Sequence, residues 1–283
     1  MKSGIVVINK EKEYTSQNVV SKVKKILNVK KAGHTGTLDP MATGVLPVLI
    51  GDATKLSKYL IEHDKTYVAT LKLGQKTETG DSEGKIIEEK NVINISEDMI
   101  KDVLEKIQGK QMQAPHKYSA VKINGKKLYE YARNGENIDI PSRQIEIYYA
   151  KLINFDKLAN EIVFEVSCSK GTYIRVLCED IAEKLGTVGY MKELERVEVD
   201  RFSIKDAVKL EDLTDENIIS VETICNDMYE KIDLNDRKLE LFLNGVMLTV
   251  EYPDGIYRVY NKNKFIGLGI VSKKLIKRDV ICQ

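Results

Sequence analysis

The chain has 283 residues, of which 42% are hydrophobic and 31% are charged, and its formal net charge is +1. This composition is typical of a folded globular protein, and no apolar run approaches the roughly 20 residues that a membrane-spanning helix needs. The length is near the limit of a single hydrophobic core, which favours one large domain plus a small one. The apolar residues 5–8 are too few for a secretory signal, so we expect a cytoplasmic protein without membrane contact.

Cysteine and histidine are scattered through the chain. They are Cys168, Cys178, Cys225, Cys282, His34, His63 and His116. The cysteines form no C-x-x-C pair and the histidines are not spaced as local ligands, so a zinc site and a disulfide framework are both disfavoured. We expect a reduced protein with no metal site.

Charge is segregated along the chain although its total is near zero. Residues 109–129 and 261–278 carry basic side chains and no acid, whereas residues 196–240 are rich in Asp and Glu. Basic stretches on one face would bind the phosphates of a nucleic acid, but they are equally typical of a solvated lysine-rich surface. Charge alone leaves both interpretations open.

The N-terminal third begins with regular elements. Residues 5–8 predict a short buried strand, and Thr15 and Ser16 are good N-caps for the amphipathic helix that follows. Apolar and polar residues alternate from Tyr67 to Leu73, which predicts a strand closed by Gly74.

Residues 33–47 combine three glycines, three threonines, two prolines, His34 and Asp39. This composition predicts a rigid, shaped loop rather than a long helix or a plain strand, because glycine and proline impose special backbone angles. Pro40 forces an extended conformation on Asp39, and the apolar run 45–50 would anchor the loop in a core.

Four further elements are predicted downstream: a helix capped by Ser96 and ended by Gly109, a strand hairpin at 145–155 and 162–168, a helix at about 173–185, and an acidic helix-like segment at 206–226. The polar residues 77–85 predict a mobile loop, and short β-rich pieces from 239 onward predict a small β module. Strands and helices alternate without regular βαβ spacing, so the pattern favours an α+β fold.

Asp39 is the first candidate for a catalytic group. A carboxylate held in a fixed direction by a rigid loop suits catalysis, but an Asp before Pro is also a common turn former. The known phosphate-binding and nucleophile-elbow patterns are absent from the sequence. Local chemistry therefore leaves both roles of Asp39 open.

Two other segments combine cations with aromatic rings. Residues 113–122 place lysines around Tyr118, which suits an RNA strand because rings stack on bases while lysines contact phosphates; a surface loop is the alternative. Residues 169–175 bring Arg175 to a helix start, where a buried guanidinium would need a carboxylate. Asp39 is the candidate partner, and a surface position is the alternative for Arg175.

The sequence G-H-T-G-T-L-D-P-x-A-T-G-V-L-P at residues 33–47 resembles the catalytic motif of the TruB family, the bacterial tRNA pseudouridine-55 synthases. Four further blocks resemble family motifs in the same order: Asn9-Lys10 with Thr15-Ser16, Lys65-Thr66-Tyr67, residues 113–133, and residues 170–175. The resemblance covers residues 4–202, and the tail is similar to the small C-terminal RNA-binding domain of the bacterial members.

The resemblance implies a pseudouridine synthase fold: α+β, with a mixed, largely antiparallel central sheet flanked by helices and a small C-terminal β-rich domain. It implies a catalytic domain at 1–230 and an RNA-binding domain at 231–283. The expected reaction is the isomerisation of uridine to pseudouridine at position 55 in the T-loop of tRNA. No redox change occurs, so we expect no cofactor. The expected partner is the tRNA T-stem-loop, bound by a monomer without a guide RNA or an obligatory protein partner.

The resemblance also implies the role of each site residue. Asp39 is the nucleophile on a flipped-out uridine, Tyr67 stacks on the base and moves a proton, and Arg175 pairs with the catalytic carboxylate. The implied substrate-binding residues are His34, Tyr67, Tyr173, Leu194 and Lys10. Whether Asp39 attacks the base or acts at the sugar stays open.

Two alternative functions remain. One is the related guide-RNA-dependent pseudouridine synthase, against which the bacterial-type tail argues. The other is an RNA chaperone that helps tRNA to fold, with catalysis secondary or lost. The presence of Asp39, Tyr67 and Arg175 together argues against lost catalysis.

Overall fold

The computed structural model of the protein describes residues 2–60, 64–119 and 121–282. His63, one of the three histidines considered above, and Ala120, in the block at residues 113–133, lie outside the described residues. Within the described ranges, no helix is long and apolar enough to cross a membrane.

The strands are β1 (Gly4–Lys10), β2 (Ala32–His34), β3 (Thr43–Ile50), β4 (Lys65–Leu73), β5 (Gln75–Thr77), β6 (Ile86–Glu89), β7 (Gly109–Gln113), β8 (Lys122–Ile123), β9 (Lys126–Lys127), β10 (Arg143–Asp156), β11 (Glu161–Cys168), β12 (Gly189–Val199), β13 (Phe202–Ser203), β14 (Glu230–Asp233), β15 (Leu248–Thr249), β16 (Gly255–Asn261), β17 (Lys264–Ser272) and β18 (Leu275–Ile281). The helices are α1 (Ser16–Ile26), α2 (Ser57–Leu60), α3 (Glu97–Lys106), α4 (Leu128–Arg133), α5 (Ile174–Lys184), α6 (Val221–Cys225) and α7 (Asp236–Leu243).

A nine-stranded sheet in the order β1-β3-β12-β4-β11-β10-β7 forms the centre of the molecule, with β2 and β13 paired to β3 and β12. Neighbouring strands are antiparallel except β3 and β12, which pair in parallel through Thr43 and Gly44. Buried apolar side chains of β4 and β11, such as Leu71 and Phe164, form its core together with residues of α1, α3 and α5. The mixed, largely antiparallel sheet expected from the resemblance is therefore confirmed.

Local sequence signals account for several elements. Thr15 caps α1 by accepting a hydrogen bond from the amide of Asn18, and Ser96 caps α3 in the same way through the amide of Met99. The predicted hairpin is present as the antiparallel pair β10–β11. The helix predicted from about residue 173 is α5, which begins at Ile174.

The prediction that residues 33–47 form a loop throughout was wrong at both ends. Strand β2 extends to His34, and β3 already begins at Thr43, so the loop between them is residues 35–42. Strand β3 lies between β1 and β12, and this pairing overrides the turn preference of its residues. Pro47 is accommodated in the strand, opposite Val7.

The loop predicted at residues 77–85 is present as a run of turns between β5 and β6, and its first part packs against the central sheet. Thr77 and Asp81 are buried, and the Thr77 hydroxyl donates to the Asp81 carbonyl oxygen over 2.7 Å. The amide of Met191 in β12 donates to the carbonyl of Gly80, which ties the segment to the central sheet. A polar, glycine-containing sequence thus packs into the protein here.

The acidic segment at 206–226 is not one helix. It contains 3₁₀ turns at Leu210–Asp212 and Asp215–Asn217, and helix α6 covers its end. The reason is tertiary: Val208 and Ile219 exchange backbone hydrogen bonds with residues of β1, which holds this part of the chain extended along the sheet edge.

The C-terminal region forms a five-stranded sheet in the order β14-β16-β17-β18-β15. This confirms the small β-rich unit, although residues 239–243 belong to helix α7 rather than to the predicted β structure. Phe242 of α7 is buried with Ile232, Val259 and Ile276 in the core of this unit. Leu268 and Val280 lie on its other side and pack with residues of β1 and β3.

Gly44 is required where β3 meets β12. Its φ is +100°, and a Cβ placed there would lie 2.2 Å from the carbonyl oxygen of Arg196. We expect Gly44→Ala to lower the free energy of unfolding by about 3 kcal/mol or more, measured by chemical denaturation, because both the backbone angle and the strand contact would be strained.

The matched control for this prediction is Gly33→Ala. A Cβ at Gly33 would have no atom within 4 Å. We expect a change below about 1 kcal/mol in the control, as for a surface substitution. Equal losses in the two variants would contradict the claimed role of the β3–β12 contact.

Candidate active site

A cleft of about 730 Å³ opens where the loop at residues 35–42 faces the start of α5. Its walls include residues of β4, β10 and β12 as well as the loop after β11. Five of the residues implied by the resemblance line it: Asp39, Tyr67, Tyr173, Arg175 and Leu194. His34 and Lys10 are not among the residues that line the cleft.

Arg175 lies between two carboxylates. Its Nη2 is 3.2 Å from Oδ2 of Asp39, and its Nη1 is 3.2 Å from Oδ2 of Asp81. The same Nη1 also donates to the carbonyl oxygen of Thr79. The side chains of Arg175 and Asp81 are 9% and 4% exposed, whereas that of Asp39 is 40% exposed. The guanidinium is thus fixed from the buried side by Asp81 and contacts Asp39 at the cleft.

Asp81 is the residue of this arrangement that sequence reasoning missed. Its Oδ1 accepts hydrogen bonds from the Thr79 hydroxyl and the Glu83 amide, so the hydrogen bonds described for its carboxylate come from its own segment and from Arg175. The surrounding sequence is typical of an exposed loop and gives no signal. A buried arginine needs an opposite charge and acceptors for its N–H groups. This need of Arg175 was the one indication that a second carboxylate, besides Asp39, lies beside it.

The backbone on both sides of Asp39 is held by buried polar side chains. Ser16 Oγ accepts a hydrogen bond from the amide of Leu38 over 2.8 Å and donates one to its carbonyl over 3.1 Å. The Lys10 ammonium donates to the carbonyl oxygens of Pro40, Tyr14 and Glu11. Asp39 lies between these two anchors, so its carboxylate is presented to the cleft in one direction.

Lys10 therefore acts on the loop rather than at the surface of the cleft. Its side chain is fully buried. Burial lowers the pKa of Lys10 to about 8, and the negative charge of Asp39 acts in the opposite direction. Lys10 thus interacts electrostatically with Asp39 and also anchors the loop that carries it.

Tyr67 lies in the middle of the central sheet, and Arg196 of β12 is its direct cross-strand neighbour. Burial raises the pKa of the Tyr67 hydroxyl, and the adjacent Arg196 opposes this shift. Arg196 is 1% exposed and donates to the carbonyl oxygens of Val45 and Gly36 over 2.8 Å and 3.1 Å. It joins Tyr67, β3 and the loop that carries Asp39.

Sequence reasoning missed Arg196 because it did not predict strand β12. Once β4 and β12 are paired, the position of Arg196 opposite Tyr67 follows from the register. A buried guanidinium that donates to backbone carbonyls has no local sequence signature.

The other implied residues occupy defined positions. Tyr173 is the N-cap residue of α5, and the Gln113 side chain binds both its amide and its carbonyl oxygen, over 2.8 Å and 3.2 Å. His34 is half-buried in β2, and burial, with a contribution from Arg196, lowers its pKa. Leu194 in β12 is a buried apolar residue of the cleft wall.

The block at residues 113–133 supplies two further tyrosines of the cleft wall, Tyr118 and Tyr129. Tyr118 donates to Oε1 of Glu78 over 2.5 Å. Arg133 and Lys127 lie 5.3 Å and 5.2 Å from the ring centroid of Tyr129, within the range of cation–π contacts. In the segment 113–122, where the sequence predicted rings among cations, the Lys117 ammonium lies 5.4 Å from the ring centroid of Tyr118, which lines the cleft. The described residues contain no cluster of His, Cys, Asp or Glu suited to a metal ion.

Comparison with known protein families identifies the family to which the chain belongs. Residues 24–174 match the model of the TruB family pseudouridylate synthase N-terminal domain, and residues 175–251 match that of the tRNA pseudouridylate synthase B C-terminal domain. The chain is 39% identical to tRNA pseudouridine synthase B of Francisella tularensis subsp. novicida (strain U112), over 99% of this chain and 96% of the relative. The protein of the same name from Francisella philomiragia subsp. philomiragia is 39% identical over 98% of this chain.

The chain therefore belongs to the TruB family of pseudouridylate synthases, and it is an RNA pseudouridine synthase. Solved structures agree with this fold. A Cbf5-Nop10-Gar1 complex aligns with a TM-score of 0.70 and 24% identity, covering 99% of this chain and 84% of that one. An H/ACA RNP bound to a substrate RNA containing 2'-deoxyuridine aligns with a TM-score of 0.70 and 22% identity. At this identity the two structures bear on the fold alone.

The coupling between Lys10 and Asp39 gives a direct test of the site's electrostatics. Asp39→Asn removes a negative charge that raises the pKa of Lys10, so we expect that pKa to fall further below about 8. Carbon NMR of lysine labelled at Cε, titrated with pH, measures it.

Glu83→Gln is the matched control, because Glu83 makes the smallest contribution to the Lys10 pKa. We expect a smaller decrease than in Asp39→Asn. An unchanged Lys10 pKa in Asp39→Asn would contradict the proximity of the two groups.

Proposed function

We propose that this enzyme isomerises uridine to pseudouridine in the T-loop of tRNA, at position 55, with Asp39 as the nucleophile on a flipped-out uridine. The proposal is supported by the motif at residues 33–47 and by relatives named tRNA pseudouridine synthase B that align over 99% of the chain. The ion pair between Asp39 and Arg175 at the cleft is the observation that carries it.

The chemistry suits a positioned carboxylate. Conversion of uridine breaks a carbon–nitrogen glycosidic bond, turns the base and forms a carbon–carbon bond, and a carboxylate can attack only in its ionised form. Arg175 places an opposite charge 3.2 Å from the Asp39 carboxylate and holds that carboxylate at the cleft. The exposed part of Asp39 leaves the carboxylate accessible to a substrate. Because atoms are only rearranged, the reaction needs no redox cofactor.

The other proposed roles follow from the walls of the cleft. A base that leaves its stack loses a few kcal/mol, and stacking on an aromatic ring returns roughly 1–3 kcal/mol. We assign this platform to Tyr67, with Tyr173 and Leu194 as apolar walls. His34 is assigned to the space left by the displaced base, and Lys10 supports the Asp39 loop. Arg175 fixes the nucleophile.

The proposed partner is the T-stem-loop of tRNA, bound by a monomer without guide RNA or a second protein. The relatives named tRNA pseudouridine synthase B, which are 39% identical over 99% of this chain, favour this partner. We propose residues 1–230 as the catalytic domain and 231–283 as an RNA-binding domain. The two lysines of β17 and β18, Lys264 and Lys277, are exposed and support the second assignment. The cytoplasmic location expected from the sequence stays a prediction.

The direct test is to incubate the purified protein alone with an unmodified tRNA transcript and to map pseudouridine by carbodiimide-adduct stops. We expect one product, at uridine 55 of the T-loop. No product at this uridine, or product that requires an added guide RNA, would overturn the proposal.

The assigned nucleophile is tested by Asp39→Asn, which keeps the shape of the side chain and removes its nucleophilic carboxylate. We expect the single-turnover rate to fall by more than about 10³-fold with little loss of tRNA binding. Asp102→Asn, on the exposed face of α3, is the matched control and should react at the normal rate. Substantial activity in Asp39→Asn would refute the assignment. A tRNA-folding assay with the same variant separates a chaperone function from catalysis.

A further inference from the structure

Arg143 lines the cleft but has no role in the proposed reaction. It is the first residue of β10 and pairs with Gln113 of β7. Gln113 in turn holds the backbone of Tyr173 through two hydrogen bonds. The Arg143 guanidinium lies over the Tyr173 ring, with Cζ 5.0 Å from the ring centroid. The strand pair thus fixes both the ring and the cation that covers it.

Gly171 completes the seat of this guanidinium. A Cβ at Gly171 would lie 3.3 Å from Cζ of Arg143 and 3.4 Å from its Nε, and the φ of Gly171 is +84°. The absence of a side chain therefore lets the guanidinium lie close to the backbone of residue 171. A long side chain restricted by a ring and a backbone loses little further freedom when it binds a ligand.

The charge of Arg143 has no counterpart in the described part of the chain. Its Nε is buried without a hydrogen-bond acceptor, and no acidic side chain of the described residues forms an ion pair with it. The neighbouring cleft arginines are satisfied: Arg175 binds two carboxylates and Arg196 binds backbone carbonyls. The guanidinium lines the cleft with an unbalanced positive charge, which a bound anion would neutralise through a charge-assisted hydrogen bond.

We propose that Arg143 binds a backbone phosphate of the RNA strand that delivers the target uridine to the cleft. The inference rests on the proposed function, because a flipped nucleotide brings its own phosphates to the mouth of the pocket. The planar guanidinium matches phosphate oxygens in a two-pronged geometry. Its positive charge also offsets the repulsion between that phosphate and Asp39, which lines the same cleft.

The first experiment measures binding of a T-stem-loop RNA at several salt concentrations, with every protein in the Asp39→Asn background so that the RNA is not converted. We expect Arg143→Gln to weaken binding about tenfold or more at low salt. We also expect the slope of log K against log salt to fall in magnitude by about 0.7–0.9, the value for one phosphate contact. Arg143→Lys keeps the charge and should keep the slope. An unchanged slope in Arg143→Gln would overturn the proposal.

Lys157→Gln is the matched control. Lys157 directly follows β10, so it lies at the opposite end of the strand from Arg143, and it is exposed and outside the cleft. The Lys157→Gln substitution removes one positive charge, as Arg143→Gln does. We expect the RNA affinity and the salt slope of this variant to stay within error of the parent. An equal loss in this control would mean that overall charge, rather than a contact of Arg143, sets the affinity, and would also overturn the proposal.

The second experiment locates the phosphate. Each phosphate of the T-loop RNA is replaced in turn by a neutral methylphosphonate, and each RNA is bound to the parent and to Arg143→Gln. We expect one position, or two adjacent ones, where the substitution weakens the parent but not the variant, since both changes remove the same contact. Additive effects at every position would contradict a phosphate contact. Coupling to a base analogue instead would show that Arg143 contacts a base edge, which also overturns the proposal.

The thermal unfolding midpoint tests whether Arg143 serves folding instead of binding. If Arg143 binds the phosphate, the midpoint should be similar in Arg143→Gln and Arg143→Lys. A low midpoint together with an unchanged salt slope would assign Arg143 to folding and overturn the proposal. Wild-type enzyme is tested for pseudouridine formation on the same RNA in parallel. A lack of product there counts against the proposed function, whereas the salt slope and the phosphate scan judge Arg143 separately.

Discussion

The site depends on one guanidinium shared by two carboxylates. Arg175 is brought to the cleft by the start of α5, and it meets Asp81 from the segment after β5 and Asp39 from the loop after β2. Burying such charges is unfavourable unless every partner is in place, so the three segments must dock together for the arrangement to exist. The more exposed of the two carboxylates is then the one free to meet a substrate.

A second set of buried polar groups supports the same loop from behind. Lys10, Ser16 and Arg196 bind backbone atoms at Pro40, Leu38 and Gly36 respectively. Each of these side chains is almost fully buried, and each binds main-chain atoms instead of a carboxylate. Backbone anchoring of this kind fixes the loop while leaving the charge of Asp39 to Arg175. The central sheet supplies two of the three anchors, from β1 and β12, so the loop is held against the sheet.

Elements with strong local signals were predictable, and those defined by distant pairing were not. Caps such as Thr15 and Ser96 mark their helices because the capping hydrogen bonds lie within a few residues. The segment at 206–226 has a helical composition, but backbone hydrogen bonds to β1 hold it extended. Such tertiary contacts are not visible in the local sequence. No local sequence pattern marks Asp81 or Arg196. Asp81 matters because it contacts Arg175, and Arg196 because it lies beside Tyr67, and both partners are distant in the sequence. The motif and its resemblance gave the catalytic candidates, whereas the residues that position them required the structure.

The most direct measurement of the central claim is a double-mutant cycle on Asp81 and Arg175, read as the single-turnover rate of pseudouridine formation. If Asp81 acts through Arg175, Asp81→Asn should lower the rate about 10²-fold with RNA affinity nearly unchanged, because misplacement of a positioning group is costly. Adding Asp81→Asn to Arg175→Gln should then cause no further loss. A normal rate in Asp81→Asn, or losses that multiply in the double variant, would contradict the account.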